Sequence, residues 1–151
     1  MHQEKDDALS NNGLDAAICI FDTDQKILSF SGARLPIYYN IGSKIKHIKG
    51  DRQSIGYKKS LNNMKFTTHF IPFYKGMNLY LFTDGYIDQP GGKLGIGYGY
   101  KQLEQNLSHA CTYPISKQKQ LITTNFEAYT QAYETRDDCT FIGLNFNNFL
   151  P

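Results

Sequence analysis

Met77-Asn78-Leu79-Tyr80-Leu81-Phe82-Thr83-Asp84-Gly85 is the stretch on which the fold turns. From Met77 to Phe82 it is almost continuously apolar over the length of one strand, so it reads as a strand buried on both faces; Thr83, Asp84 and Gly85 stop it. A second apolar strand runs from Thr140 to Phe146, with Arg136-Asp137-Asp138 directly before it. If the two pair antiparallel, the end of one and the start of the other share an edge of the sheet. Asp84 then comes beside Asp137 and Asp138 across a gap that a cation could fill. Aspartates at strand ends are also ordinary turn formers, and by themselves these read that way first. As ligands they are all oxygen, which suits Mg²⁺ or Mn²⁺ and not zinc. His2, His47, His69 and His109 show no ligand spacing.

Upstream of this stretch, Ala16 to Asp22 and Lys26 to Ser31 form two β-favouring runs joined by Thr23-Asp24-Gln25, a hairpin with an Asx-type turn. Ile37 to Tyr39 and Ile45 to Ile48 continue the sheet, split by Asn40, Ile41 and Gly42, and Phe66 to Phe73 is a further strand ended by Pro72. Downstream, Gly91, Gly92, Gly95, Gly97 and Gly99 predict a flexible flap without regular structure. Tyr100, Leu103 and Leu107 share one helical face. A second helix, from about Ser116 to Tyr133, carries Leu121, Ile122, Phe126, Tyr129 and Tyr133 as its stripe, and Pro114 separates the two. Strands, then helices, then a returning strand make an α+β chain with mostly antiparallel pairing.

Composition narrows the function classes. The chain has 151 residues, 40% hydrophobic and 20% charged, with a net charge of +2. That fits one folded domain, with residues 1–12 as a polar N-terminal extension and 13–151 as the domain. Positive residues are scattered except for Lys44, Lys46, Lys49 and Arg52, so no nucleic-acid partner is expected; that cluster reads as a solvated face or as a patch steering an anionic partner. No apolar run approaches the ~20 residues of a membrane span, and the polar start, Met1 to Asp7, does not resemble a signal peptide. Cys19, Cys111 and Cys139 form no Cys-x-x-Cys pair. A cytoplasmic protein is expected, with Cys19 and Cys139 as buried, inert thiols.

Phe82-Thr83-Asp84-Gly85-Tyr86-Ile87-Asp88, a glycine-containing loop, a helix and then Arg136-Asp137-Asp138-Cys139-Thr140 resemble the carboxyl part of the bacterial SpoIIE/RsbU-type serine phosphatases, a branch of the metal-dependent PP2C phosphatases. Gly13 to Ile18, Phe30-Ser31-Gly32-Ala33-Arg34-Leu35-Pro36 and Gly50 to Tyr57 fall in the same order as in that family, so the resemblance runs from about Gly13 to Leu144. It implies a PP2C-like antiparallel β-sandwich flanked by helices. It also implies a site in which Mn²⁺ or Mg²⁺, two ions in the complete family site, activates water against a phosphoserine or phosphothreonine. By the resemblance, Asp84 and Asp137 are the catalytic metal ligands. Gly85 belongs to the metal-binding turn, Asp138 stands behind its neighbour as a supporting residue, and Arg34 lies where a substrate phosphate would be met.

The family's other acidic motifs, Gly-Asp-x-Tyr-Asp and Asp-x-x-Gly-His-Gly, are not in this sequence. The expectation is therefore a domain lacking its first strands and part of its metal site. The partner the resemblance implies is a phosphorylated signalling protein such as an anti-sigma-factor antagonist. A homodimer through an uncovered sheet edge or face is expected as well. The competing readings are a non-catalytic phosphatase-like interaction module and, behind it, a nucleotide-binding domain built on the glycine loop.

Overall fold

The computed structural model describes residues 13–56 and 65–148. The extension read at residues 1–12 and the Tyr57 end of the Gly50 motif lie outside them. The elements are β1 (Ala16–Asp22), β2 (Ile27–Ala33), β3 (Ile37–Ile41), β4 (Lys44–Ile48), β5 (His69–Pro72), β6 (Asn78–Phe82), α1 (Asp84–Asp88), β7 (Pro90–Gly91), β8 (Ile96–Gly97), α2 (Gly99–Ala110), α3 (Ile115–Thr130) and β9 (Phe141–Asn145).

Two antiparallel sheets form the frame, in the strand orders β1-β2-β5 and β4-β3-β6-β9. Alternation along β6 explains its unbroken apolar run. Leu79 joins Leu28, Phe30, Ile37, Ile71 and Phe73 between the two sheets, while Tyr80 and Phe82 face Leu103, Leu107 and Ile122 of the helices. β6 is thus in the middle layer of three and is apolar on both faces because both are covered. Helices cover only one side of the sandwich among the described residues. The outer face of the three-stranded sheet leaves Ile18, Ile20 and Phe70 exposed. No described helix is long and apolar enough to cross a membrane.

Several local expectations are corrected. Residues 37–48 open the second sheet and do not prolong the first; Asn40 and Ile41 are strand residues, and the turn falls at Gly42, where φ is 58°. The first hairpin has the expected Asx turn, with the Gln25 amide donating to Asp22 Oδ1 at 2.8 Å, but Lys26 lies in the turn at φ 56° and not in a strand. Phe66 to Thr68 precede β5 instead of belonging to it. Asp84 to Asp88 is a helical turn, α1, that periodicity over so few residues could not reveal. The glycine segment is no free flap. Its β7–β8 hairpin is pinned to α3, where the Gly92 amide donates to the Tyr129 carbonyl at 2.8 Å and the Tyr129 hydroxyl donates to the Ile96 carbonyl at 2.9 Å. Of the thiols, Cys111 is the buried one; Cys19 is half-buried and Cys139 exposed.

A buried polar cluster locks the start of β6. Asn78 donates through its amide nitrogen to Asn40 Oδ1 and to the Cys111 carbonyl, and accepts from Gln118 at 3.0 Å and Asn145 at 2.7 Å. Gln118 in turn accepts from the Tyr80 hydroxyl at 2.7 Å. Asn78 and Gln118 are each 1% exposed, so their amides are satisfied within the protein.

Candidate functional site

Pairing register decides what stands at the other end of the four-stranded sheet. Phe82 of β6 is opposite Phe141 of β9, Tyr38 of β3 is opposite Tyr80, and Ile37 is opposite Ile48 of β4. The segment after β6, the segment before β9, the segment before β3 and the segment after β4 therefore emerge together. They carry Asp84, then Asp137 and Asp138, then Arg34, then Lys49, Asp51 and Arg52.

On the β6–β9 half, the two acidic segments are stitched by their backbones. The Thr83 amide donates to the Thr140 carbonyl at 3.1 Å, the Thr83 hydroxyl donates to the Asp138 carbonyl at 2.8 Å, and the Thr140 amide donates to Thr83 Oγ1 at 2.9 Å. Gly85 is packed so closely that a Cβ there would stand 2.7 Å from the Asp138 carbonyl oxygen and 3.1 Å from the Asp137 Cβ. All three aspartates are exposed. Asp84 Oδ1 accepts from the Gly85 amide at 2.9 Å and Asp137 Oδ1 from the Asp138 amide at 2.7 Å, so each carboxylate is oriented through one oxygen. The Gly85 carbonyl accepts a 3.2 Å contact from the Cys139 thiol. Burial, then the charges of Asp137 and Asp138, push that thiol's pKa up.

On the β3–β4 half, Arg34 sits in the left-handed region at φ 61°, held by its amide donating to the Asp51 carbonyl at 2.9 Å. Asp51 stands between Lys49 and Arg52 as the acidic residue of the same loop. Its carboxylate accepts from the Thr67 amide at 2.6 Å and from the Thr67 hydroxyl at 3.1 Å. Arg34, Lys49 and Arg52 border a cleft of about 470 Å³ whose walls include Pro36, Tyr38, His47 and Tyr100. Tyr100 also reaches the acidic half: its ring centroid is 6.4 Å from that of Phe82, and burial followed by Asp88 and Asp84 raises its hydroxyl pKa. Sequence reading singled out Arg34 separately from the cluster Lys44, Lys46, Lys49 and Arg52; the structure leaves Lys44 at the far end of β4 and brings Lys49 and Arg52 to the cleft with Arg34. Their meeting in one cleft depends on the β3–β4 hairpin register, which residue patterns alone do not give.

The donor chemistry at Asp84, Asp137 and Asp138 fits a hard divalent cation, but the donor number is short of a closed site. Among the described residues no group of three or more His, Cys, Asp or Glu side chains is placed to hold a metal ion. A six-coordinate ion here would take most of its positions from other donors.

Comparison with known proteins follows the same outline. The structure is similar to the SiaA-PP2C domain of Pseudomonas aeruginosa, with 29% identity and a TM-score of 0.78, covering 87% of this chain and 51% of that one. It is also similar to the phosphatase domain of the cell fate determinant SpoIIE from Bacillus subtilis, in a manganese-presoaked structure, with 14% identity, a TM-score of 0.66, and coverage of 91% of this chain and 58% of that one. RsbX in complex with magnesium follows at 17% identity and a TM-score of 0.57, covering 87% and 55%. The chain thus spans about half the length of these relatives, and their PP2C-like fold is the one it has. No curated protein is matched. The Stage II sporulation protein E (SpoIIE) family model matches residues 2–147, nearly the whole sequence, and the chain belongs to that family.

Proposed function

We propose that this PP2C-like domain works in metal-dependent removal of phosphate from a serine or threonine of a cytoplasmic signalling protein, with an anti-sigma-factor antagonist as the type of substrate. The observation that carries the reading is the backbone-stitched pair of acidic segments, Thr83-Asp84-Gly85 and Asp137-Asp138, at one end of the four-stranded sheet. In it Asp84 and Asp137 would hold Mn²⁺ or Mg²⁺, whose chemistry when bound is to polarise a phosphoryl oxygen and lower the pKa of water. Gly85 permits the close approach of the two segments. Asp138 fixes the Thr83 side chain through its carbonyl, and Arg34 meets the negative charge of the incoming phosphate.

A second reading, a non-catalytic interaction module of the same fold, is favoured by the incomplete donor set. Two carboxylates bind a divalent ion weakly, because affinity rises with carboxylate number. Manganese titration followed by electron paramagnetic resonance should show weak binding to the 151-residue chain that disappears in Asp84→Asn/Asp137→Asn. Phosphoserine-peptide hydrolysis by this chain alone should be slight. Robust Mn²⁺-dependent turnover, abolished by Asp84→Asn, would overturn the incomplete-site account. Manganese binding that survives the double variant would remove the metal from this end of the sheet.

A further inference from the structure

The end of the four-stranded sheet is divided by charge. In the order β4-β3-β6-β9, the segments carry Lys49, Asp51 and Arg52, then Arg34, then Asp84, then Arg136, Asp137 and Asp138, so that the balance is positive on the first half and negative on the second. The cationic half is the cleft described above. Two carboxylates line it with the cations, Asp51, which accepts from Thr67, and Glu104, 3.3 Å from His47 Nδ1; against Arg34, Lys49 and Arg52 they leave a net formal charge of +1. Arg34, Lys49 and Arg52 are exposed and have no ion pair among the described residues. The cleft, of about 470 Å³ and within the range of ligand sites, thus has a small cationic excess in its lining and the rings of Tyr38 and Tyr100 in its walls.

We propose that this cleft is a docking groove for an acidic polypeptide segment, the flank of the phosphorylated residue; the word phosphorylated rests on the function proposed above, whereas the acidic-segment recognition does not. Four arguments support it. The cations come from two loops, one before β3 and one after β4, and share the cleft with the rings of Tyr38 and Tyr100, a mixed lining that suits the carboxylates and stems of a peptide better than one compact anion. Adjacent strands are ~4.8 Å apart, so a segment lying across β4 and β3 would pass its next residues over the end of β6, where Asp84 stands. Tyr100 belongs to both halves, lining the cleft while its ring centroid lies 6.4 Å from that of Phe82 at the end of β6, just before Asp84 in the sequence, and so makes the groove continuous with the acidic half. Arg34 keeps its left-handed backbone through the Asp51 carbonyl, so the side chain at the junction is presented from a fixed loop.

The test is fluorescence anisotropy with the whole chain in EDTA, using labelled ten-residue peptides with a central phosphoserine flanked by glutamate, by serine and glycine, or by lysine. The glutamate-flanked peptide should bind at least tenfold tighter than the neutral one and weaken as salt rises from ~50 to ~300 mM. Lys49→Glu/Arg52→Glu should erase that preference. Lys44→Glu/Lys75→Glu, the same charge change at the opposite end of the sheet, should preserve it. Far-ultraviolet circular dichroism confirms that both variants fold. Equal binding of glutamate-flanked and neutral peptides, or equal damage from the two double variants, would overturn the groove. Hydrolysis plays no part in this measurement, so failure of the phosphatase reading and failure of the groove are separable.

Discussion

Gly85 shows why one residue of the Thr-Asp-Gly turn has to lack a side chain. A methyl group there would press into the Asp138 carbonyl at 2.7 Å, against backbone that is itself hydrogen-bonded to Thr83. Gly85→Ala should therefore cost ~1–3 kcal/mol in chemical denaturation, in the range of overpacking. It should also displace the Asp138 amide resonance in an NMR spectrum, since relief requires parting the two acidic segments. An unchanged stability and spectrum would mean the segments are looser than their hydrogen bonds indicate. At this scale the sequence was informative about Asp84 and Asp137, because a buried strand announces its own ends. It was silent on Asp51, whose carboxylate is bound by Thr67, sixteen positions along the chain.

The β7–β8 hairpin illustrates what periodicity misses. Its glycines read as punctuation, yet they fit against an aromatic side chain on α3. A Cβ on Gly91 would stand 2.2 Å from Tyr129 Cδ1 and 2.4 Å from the Tyr129 carbonyl oxygen. Gly91→Ala should accordingly destabilise by ~3 kcal/mol, since the obstacle includes backbone. Tyr129→Phe, which loses only the hydroxyl's bond to the Ile96 carbonyl, should cost ~0.5–1.5 kcal/mol. Urea unfolding of both variants checks the ranking; a reversed order would mean that the hydroxyl, and not the close fit, holds the hairpin. Strands and long helices were legible because hydrophobic period survives in sequence. α1 and the β7–β8 hairpin were not, since a helical turn from Asp84 to Asp88 and two-residue strands are too short to show one.

For the whole molecule, the outer face of the β1-β2-β5 sheet is the feature that bears on self-association. Ile18, Ile20 and Phe70 are 59%, 65% and 69% exposed, and register sets Ile20 beside Ser29 and Ser29 beside Phe70 in one row across the sheet. Such a face, with β1 and β5 as the edge strands among the described residues, favours association. Sedimentation at micromolar concentration should give a mass that rises with concentration, and Ile20→Lys/Phe70→Lys should return it to the monomer value. A stable monomer of the unaltered chain would sink the proposed self-association. The α+β class was legible from the order of strands and helices and the two-layered sandwich only through the family resemblance; an uncovered edge or face was expected, but which strands leave it needed the pairing register, because a half-buried strand reads the same whichever side is covered. The buried cluster around Asn78 has a different consequence. It binds strand, helix and loop carbonyls at one end of the four-stranded sheet, while the charged segments project from the other. Opening the Asn78 end exposes several side-chain amides at once, whereas the far end is held by the bonds of Thr83 to Asp138 and Thr140 and by the Phe82 ring packed against Tyr38 and Phe141. β6 is therefore anchored at both ends by different means, a polar lock at Asn78 and an aromatic clamp at Phe82, and the acidic segments are carried on a fixed frame to the end that meets other molecules.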